Sequence, residues 1–364
     1  MTDRWQNPPA TVRCWKGELG AVMISGVMVG GRRGTVRRRV RWWTILSGVI
    51  LAMPVAACTM APRGMPATTP APAPPAESFH LAPGQGAVGA VAHYRIRHGD
   101  IFPDLARRFD LGYTALAAAN PGVDPWRPGD ARRIIVPARF VLPRAPHRGI
   151  VVNLAQWRLY YFRPGGSRVE THPVGLGVIG RTTPLGVTRV VRKEPHPTWR
   201  PPPDIRAAEH LPAAIPPGPD NPLGDYALHL GWPNYLIHGT NKPDGVGRNV
   251  SHGCIRLYPE DIARLFAEVR VGTPVRVVDQ PATAGWEGDR LYLQVFPTKR
   301  QTEAIDIEQR VKFAPAPVRA VRRVVRRAAG RFARLVDWRR VDRAARARTG
   351  IAVVVADRAV EARR

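Results

Sequence analysis

The stretch Ile237-His238-Gly239-Thr240-Asn241-Lys242-Pro243-Asp244-Gly245-Val246-Gly247-Arg248-Asn249-Val250-Ser251-His252-Gly253-Cys254-Ile255-Arg256-Leu257 decides how the chain reads. Tyr235-Leu236-Ile237 is a short apolar run of strand type. His238 therefore falls where a buried strand emerges, and the Gly- and Asn-rich segment after it has the composition of a loop. At the far end Cys254 follows Gly253, a residue that lets backbone approach a substrate closely. A thiol with an ordinary pKa of about 8.5 is mostly protonated at neutral pH, so a nucleophilic Cys needs a base beside it, and His is the usual one. His238 lies sixteen positions upstream, far enough for the loop to fold back, whereas His252, two residues away, is less free to reach around. The spacing favours His238 as the base and leaves His252 to orientation or substrate contact. The backbone N–H groups around Gly253 and Cys254 are candidates for an oxyanion hole. His238, His252 and Cys254 are also zinc-ligand types, but their spacing matches neither CxxC nor HExxH, and no metal is expected.

The same residues carry a resemblance. His-Gly-Thr at 238–240 and Ser-His-Gly-Cys-Ile-Arg-Leu at 251–257, with twelve residues between His238 and Ser251, resemble the signature of the L,D-transpeptidase (YkuD) catalytic domain. The similarity extends through Ile150-Val151-Val152-Asn153-Leu154, Thr183-Pro184-Leu185-Gly186, Pro197-Thr198-Trp199 and Asn221-Pro222-Leu223-Gly224, which bounds a domain at 147–280. The resemblance implies a mostly β sandwich with short helices. It makes Cys254 the nucleophile, His238 its base and the Gly239 carbonyl the group that orients the imidazole. Ser251, His252, Gly253 and Arg256 then flank the nucleophile as substrate or oxyanion contacts. The implied reaction is formation of a Cys thioester with the diaminopimelate carbonyl of a peptidoglycan tetrapeptide stem, loss of D-alanine, and transfer to an amine. That amine belongs to a second diaminopimelate or to the Lys of a small outer-membrane lipoprotein. Residues 250–257, 259–269 and 285–296 resemble most the members that attach lipoprotein. No organic cofactor is implied. Two other readings exist: a non-catalytic peptidoglycan-binding lipoprotein, against which the intact Cys–His pair argues, and a Cys-dependent L,D-carboxypeptidase that uses water and shares the same acyl-enzyme.

Outward from the motif, Gly149 to Phe162 reads as a hairpin around Ala155-Gln156-Trp157, and strands are expected at 171–177, 186–193 and 226–230. The Pro-rich residues 195–222 read as a lid over a groove or as rigid surface filler. Pro259, Glu260 and Asp261 suit the first turn of a helix whose buried face is Ile262, Leu265, Phe266 and Val269. Pro274-Val275-Arg276-Val277-Val278 gives a last strand, and 281–300 a short β extension.

The two ends explain the composition. Of the +27 net charge in 364 residues, residues 1–58 hold nine basic against two acidic groups and residues 297–364 nineteen against seven, so +19 lies outside the middle. Arg37-Arg38-Arg39-Val40-Arg41 before the apolar run 42–55 has the order of a secretory signal, too short for a comfortable membrane span. Val55-Ala56-Ala57-Cys58 resembles a lipobox, which makes Cys58 a lipidation site and 1–58 a lipoprotein signal segment. With Cys14 upstream and Cys58 lipidated or removed, Cys254 is the only thiol expected in the mature chain. The resulting expectation is a periplasmic protein held by its lipid anchor on the inner face of the outer membrane, with no nucleic-acid partner. Residues 59–91 form a Pro/Ala-rich linker. Residues 92–142 read as strand, two helices, strand, and resemble a LysM module, a small α/β unit that binds the peptidoglycan glycan. Residues 301–364 read as a basic, partly helical tail whose apolar face is Val321, Val325, Ala328, Phe332 and Leu335.

Overall fold

A computed structural model describes residues 78–129, 132–177, 183–251, 253–308 and 318–360. The signal segment with Cys58 and most of the linker lie outside these residues. The first part contains β1 (Ser78–His80), β2 (Ala87–Gly89), β3 (Ala92–Arg95), α1 (Phe102–Arg108), α2 (Tyr113–Ala119), β4 (Arg133–Val136) and β5 (Arg139–Val141). β3 pairs with β4 and β2 with β5, both antiparallel. Pro103 sits in the first turn of α1, where its missing N–H costs nothing. Asn120 joins the end of α2 to β4: its amide donates to the Leu116 and Ile135 carbonyls (2.9 and 2.8 Å) and its oxygen accepts from Ile135 N–H (2.7 Å).

The central part is mostly β. It comprises β6 (Gly149–Asn153), β7 (Arg158–Phe162), β8 (Arg168–Pro173), β9 (Leu176–Gly177), β10 (Gly186–Pro195), α3 (Pro203–Glu209), β11 (Tyr226–Leu230), β12 (Leu236–His238), β13 (Asn249–Ser251), β14 (Ile255–Arg256), α4 (Pro259–Glu268) and β15 (Pro274–Val278). Nine strands form one sheet in the order β1-β8-β7-β6-β15-β10-β11-β12-β14. The β6–β7 hairpin turns at Trp157 in a left-handed conformation (φ 55°). Alternation along it is strict. Val151, Tyr160 and Phe162 join the core of the N-terminal module, while Ile150, Val152, Leu159 and Tyr161 join a second core. A strand pair buried on both faces loses the usual apolar-polar alternation and reads as a continuous apolar run. The second core also takes Leu228, Ile237, Ile255 and, from α4, Ile262 and Leu265. Strands far apart in the sheet order thus share one interior, so the sandwich is a single sheet curled over on itself.

The C-terminal part corrects the reading of a short β extension followed by a tail. β16 (Ala282–Glu287) and β17 (Arg290–Val295) pair as a hairpin, and β18 (Val353–Asp357) adds antiparallel to β17. Between them come α5 (Lys299–Glu308), α6 (Val318–Ala329) and α7 (Trp338–Ala347). Val321, Val325 and Ala329 of α6 and Val341 and Ala345 of α7 pack on Leu291, Leu293 and Val355 of this sheet. Each fully buried Val or Leu contributes about 1.5–3 kcal/mol, so the apolar stripe has more to gain from a sheet than from water. Asp337 caps α7 by accepting from Arg340 N–H (3.0 Å). Buried Gln294 on β17 ties this part to the rest, accepting from Val141 N–H (2.9 Å) and donating to the Gly350 carbonyl (2.6 Å). No helix among the described residues is long and apolar enough to cross a membrane.

Candidate active site

Two short strands set the site. β12 and β14 run parallel, with Ile237 opposite Ile255 and His238 opposite Arg256. Both isoleucines are fully buried in the core beneath the sheet. Successive side chains on a strand alternate between faces, so His238 and Arg256 turn to the other side, and Cys254 comes just before β14 begins. All three line a cavity of about 2050 Å³. The chain enters Cys254 through Gly253 at φ +108°, a conformation that favours glycine. The Gly253 carbonyl accepts from the buried Thr183 hydroxyl (2.8 Å). That carbonyl and the Cys254 N–H belong to one rigid peptide unit and point opposite ways, so Thr183 also fixes where the Cys254 N–H points.

His238 is buried, and its Nδ1 lies 2.7 Å from the Gly239 carbonyl. A carbonyl can only accept, so the neutral ring carries its proton on Nδ1 and keeps the Nε2 lone pair. Burial drives the imidazole pKa down to about 3, with the Arg256 charge adding to the effect and the Gly239 and Leu223 carbonyls opposing it. Burial pushes the Cys254 thiol up, against the smaller opposite pulls of a Leu236 backbone hydrogen bond and of Arg256. The thiol is within 3.6 Å of the Asn234 carbonyl. At neutral pH the pair is therefore imidazole and thiol, able to pass a proton during attack rather than resting as an ion pair.

Residues 147–277 match the L,D-transpeptidase catalytic domain (YkuD) family. The probable L,D-transpeptidase YbiS of Escherichia coli K12 is 43% identical over 207 residues, which span 55% of this chain and 67% of that protein. The probable L,D-transpeptidase ErfK/SrfK of the same organism is 42% identical over 222 residues, 59% of this chain and 70% of that one. The probable L,D-transpeptidase YcfS, also from Escherichia coli K12, is 39% identical over 254 residues, 66% of this chain and 74% of that one. The chain belongs to the L,D-transpeptidase family.

Of the residues singled out in the sequence, this L,D-transpeptidase brings Cys254, His238, Gly239, Gly253 and Arg256 together. Ser251 lies in β13, which pairs with β9 through Gly177. His252 falls outside the described residues. The sequence reading missed two supports. One is Thr183, since nothing local in the sequence announces its bond to a residue 70 positions away. The other is Asn221, which organises the Pro-rich segment: its fully buried amide donates to the carbonyls of Pro197 (2.7 Å), Ile215 (3.2 Å) and Pro216 (3.1 Å). Its oxygen accepts from Leu223 N–H (2.9 Å). Trp199 and Ile215 also exchange backbone hydrogen bonds (2.9 and 2.8 Å). Trp199, Ile205, Leu211 and Ile215 of this segment line the cavity that holds Cys254, so residues 195–222 form a wall of the groove. A buried Asn amid prolines is the signal that could have found it.

Proposed function

We propose that the enzyme acts on peptidoglycan stems, with Cys254 as nucleophile and His238 as its base. Cys254 Sγ attacks the diaminopimelate carbonyl of a tetrapeptide stem as its proton passes to His238 Nε2. The C–N bond to D-alanine breaks, and the departing amine takes that proton. The acyl group is left as a thioester. An acceptor amine then attacks the same carbon, gives a proton to Nε2, and the C–S bond breaks with the proton returned to sulfur. The thioester retains the energy of the cleaved amide, which suits a compartment without ATP. The backbone N–H groups of Gly253 and Cys254 receive the developing oxyanion, Ser251 and His252 contact the substrate beside them, and Arg256 offers its charge. The observation that carries this reading is the tautomer of His238. With Nδ1 given to Gly239, Nε2 is the nitrogen left to accept a proton, and His238 lines the same cavity as Cys254.

The wider setting is proposed on the sequence. Residues 92–142 serve as a LysM-like module that holds the glycan, and Cys58 carries a lipid anchor that keeps the enzyme in the periplasm on the inner face of the outer membrane. The preferred acceptor is the Lys of a small outer-membrane lipoprotein, ahead of a second diaminopimelate. Purified enzyme given tetrapeptide-rich sacculi, with and without a lipoprotein peptide ending in Lys, tests this by mass spectrometry of the digested products. Attachment of the peptide with release of D-alanine is expected, and Cys254→Ala should yield neither. Cross-links without peptide attachment would overturn the acceptor, and free tripeptide alone would convert the enzyme into a carboxypeptidase.

A further inference from the structure

The N-terminal module reaches the catalytic part through the turn between α1 and α2, and it grips both flanks of the segment that carries Cys254. Upstream, two backbones meet with no room for side chains: a Cβ on Gly112 would lie 2.7 Å from the Gly247 Cα. Gly247 is itself at φ +83°. Tyr113 N–H donates to the Val246 carbonyl (3.3 Å), and the buried Thr114 hydroxyl donates to the Gly247 carbonyl. The Arg248 guanidinium stacks 3.8 Å from the centre of the Tyr113 ring, and Arg248 lines the catalytic cavity. Downstream, the Tyr258 hydroxyl donates to the Leu111 carbonyl (3.1 Å), and Arg107 makes a two-bond pair with Glu260 (2.8 Å each). A third hold fixes the turn to the sheet, where buried Arg158 donates to the Asp110 carbonyl (2.9 Å) and carboxylate (2.6 Å).

We propose that this turn is a positioning element of the active site, with Thr114 and Arg107 acting through the backbone on either side of Cys254. The module is then part of the machinery that aims the thiol, beyond any role in holding polymer. The placement of the contacts argues for this over plain domain packing. They fall at 246–248 and 258–260, and Cys254 lies between them, just ahead of β14, a strand only two residues long. A displacement of about 1 Å at a nucleophile can cost up to about a hundredfold in rate. The proposal rests on Cys254 being the nucleophile.

The test uses three variants of the full chain. Thr114→Val keeps the shape and removes the donor to Gly247, Thr114→Ser keeps the donor, and Arg107→Gln cuts the exposed downstream pair without touching a core. Turnover of a tetrapeptide substrate, the rate of Cys254 alkylation by iodoacetamide, and the melting temperature are measured for each. Thr114→Val is expected to lose about tenfold in kcat with KM within about twofold. Its alkylation rate should shift in parallel, and Thr114→Ser should recover most of both. Arg107→Gln should move the same two quantities by less. If Thr114→Val and Arg107→Gln both stay within about twofold of the parent in kcat and alkylation, the brace is wrong. It is equally wrong if the kcat loss vanishes when the assay is run well below the melting temperature. If the parent fails to turn over tetrapeptide while alkylation still falls in Thr114→Val and recovers in Thr114→Ser, the brace stands and the substrate reading falls instead.

Discussion

The β12–β14 pair and the α6–α7 pair are built alike and end up opposite in character. Each is short, and each sends one face into an apolar core: Ile237 and Ile255 in the first, Val321, Val325, Val341 and Ala345 in the second. The other face of β12–β14 looks into the groove, where burial holds His238 neutral and the Cys254 thiol protonated. The other face of α6–α7 looks into water and carries exposed arginines, among them Arg319, Arg323, Arg327 and Arg343. The region with the greater charge is chemically the blander one. A solvated guanidinium needs no partner, whereas a desolvated imidazole is tuned by every neighbour.

Deleting the sulfur draws the sharpest line between the two regions. Cys254→Ala is expected to lower turnover by more than about a thousandfold, and His238→Gln by about a hundred to ten thousandfold, both with little change in melting temperature. Turnover by Cys254→Ala within tenfold of the parent would place the chemistry elsewhere. The pH dependence comes next. Since burial raises the Cys254 thiol above the ordinary thiol pKa, the rate of its alkylation should still be climbing as pH rises past about 8.5. A plateau below pH 8 would reveal a resting ion pair. His238 adds a stability effect with a definite sign. Its folded pKa lies below the ordinary 6.5, so its contribution is complete above pH 6.5 and is lost as pH falls toward about 3. His238→Gln should flatten that part of the stability profile.

On the C-terminal side the large effects are in packing. Leu293→Ala, at a fully buried position under α6 and α7, should cost about 2–5 kcal/mol in thermal or denaturant unfolding. A cost under 0.5 kcal/mol would mean that these helices do not share its core. The wall of the groove lies between the two extremes. Asn221→Ala leaves three carbonyls without their shared donor and should cost about 1–3 kcal/mol. Limited proteolysis should then cut within 195–222 sooner than in the parent, and an unchanged cleavage pattern would show that the wall is held by its prolines alone.

How much of this was legible follows from how local each feature is. The Cys–His motif, the hairpin now seen as β6 and β7, the strand β11 and the helix from Pro259 all declare themselves within about twenty residues, which is the range that spacing and turn chemistry cover. The C-terminal helices were legible as an amphipathic pattern, but not their burial, because their partner strands lie on either side of them in sequence and β18 is recruited from residues 353–357. The apolar stripe also ran too far. Phe332 and Leu335 continue the spacing of Val321 and Val325, yet Gly330, at φ +54°, ends the helix, and a separate 3-10 turn over Gly330–Leu335 holds both residues partly buried. The bonds from Thr183 to Gly253 and from Thr114 to Gly247 span 70 and 133 positions, a range at which periodicity carries no information.

The smallest effect tests whether the C-terminal arginines are as bland as their exposure implies. Arg319, Arg323 and Arg327 are exposed and spaced by four on α6, so they stand one above another on a single face of the helix. Like charges at this spacing repel by about 0.2–0.5 kcal/mol per pair, and Arg323 belongs to two such pairs. Arg323→Glu turns both into attractions without touching the buried stripe at Val321 and Val325. The variant should therefore be more stable than the parent by up to about 1–2 kcal/mol at low ionic strength, and the gain should shrink as salt shortens the Debye length to about 3 Å at 1 M. Arg322 and Arg326 are unsuitable for this measurement, since the first pairs with Asp342 (2.6 Å) and the second lies 5.3 Å from the centre of the Trp338 ring. A gain that persists in high salt would point to helix propensity or packing rather than charge. A loss of stability in both conditions would mean that Arg323 makes a contact the fold depends on, and the contrast between a tuned groove and a passive charged face would have to be redrawn.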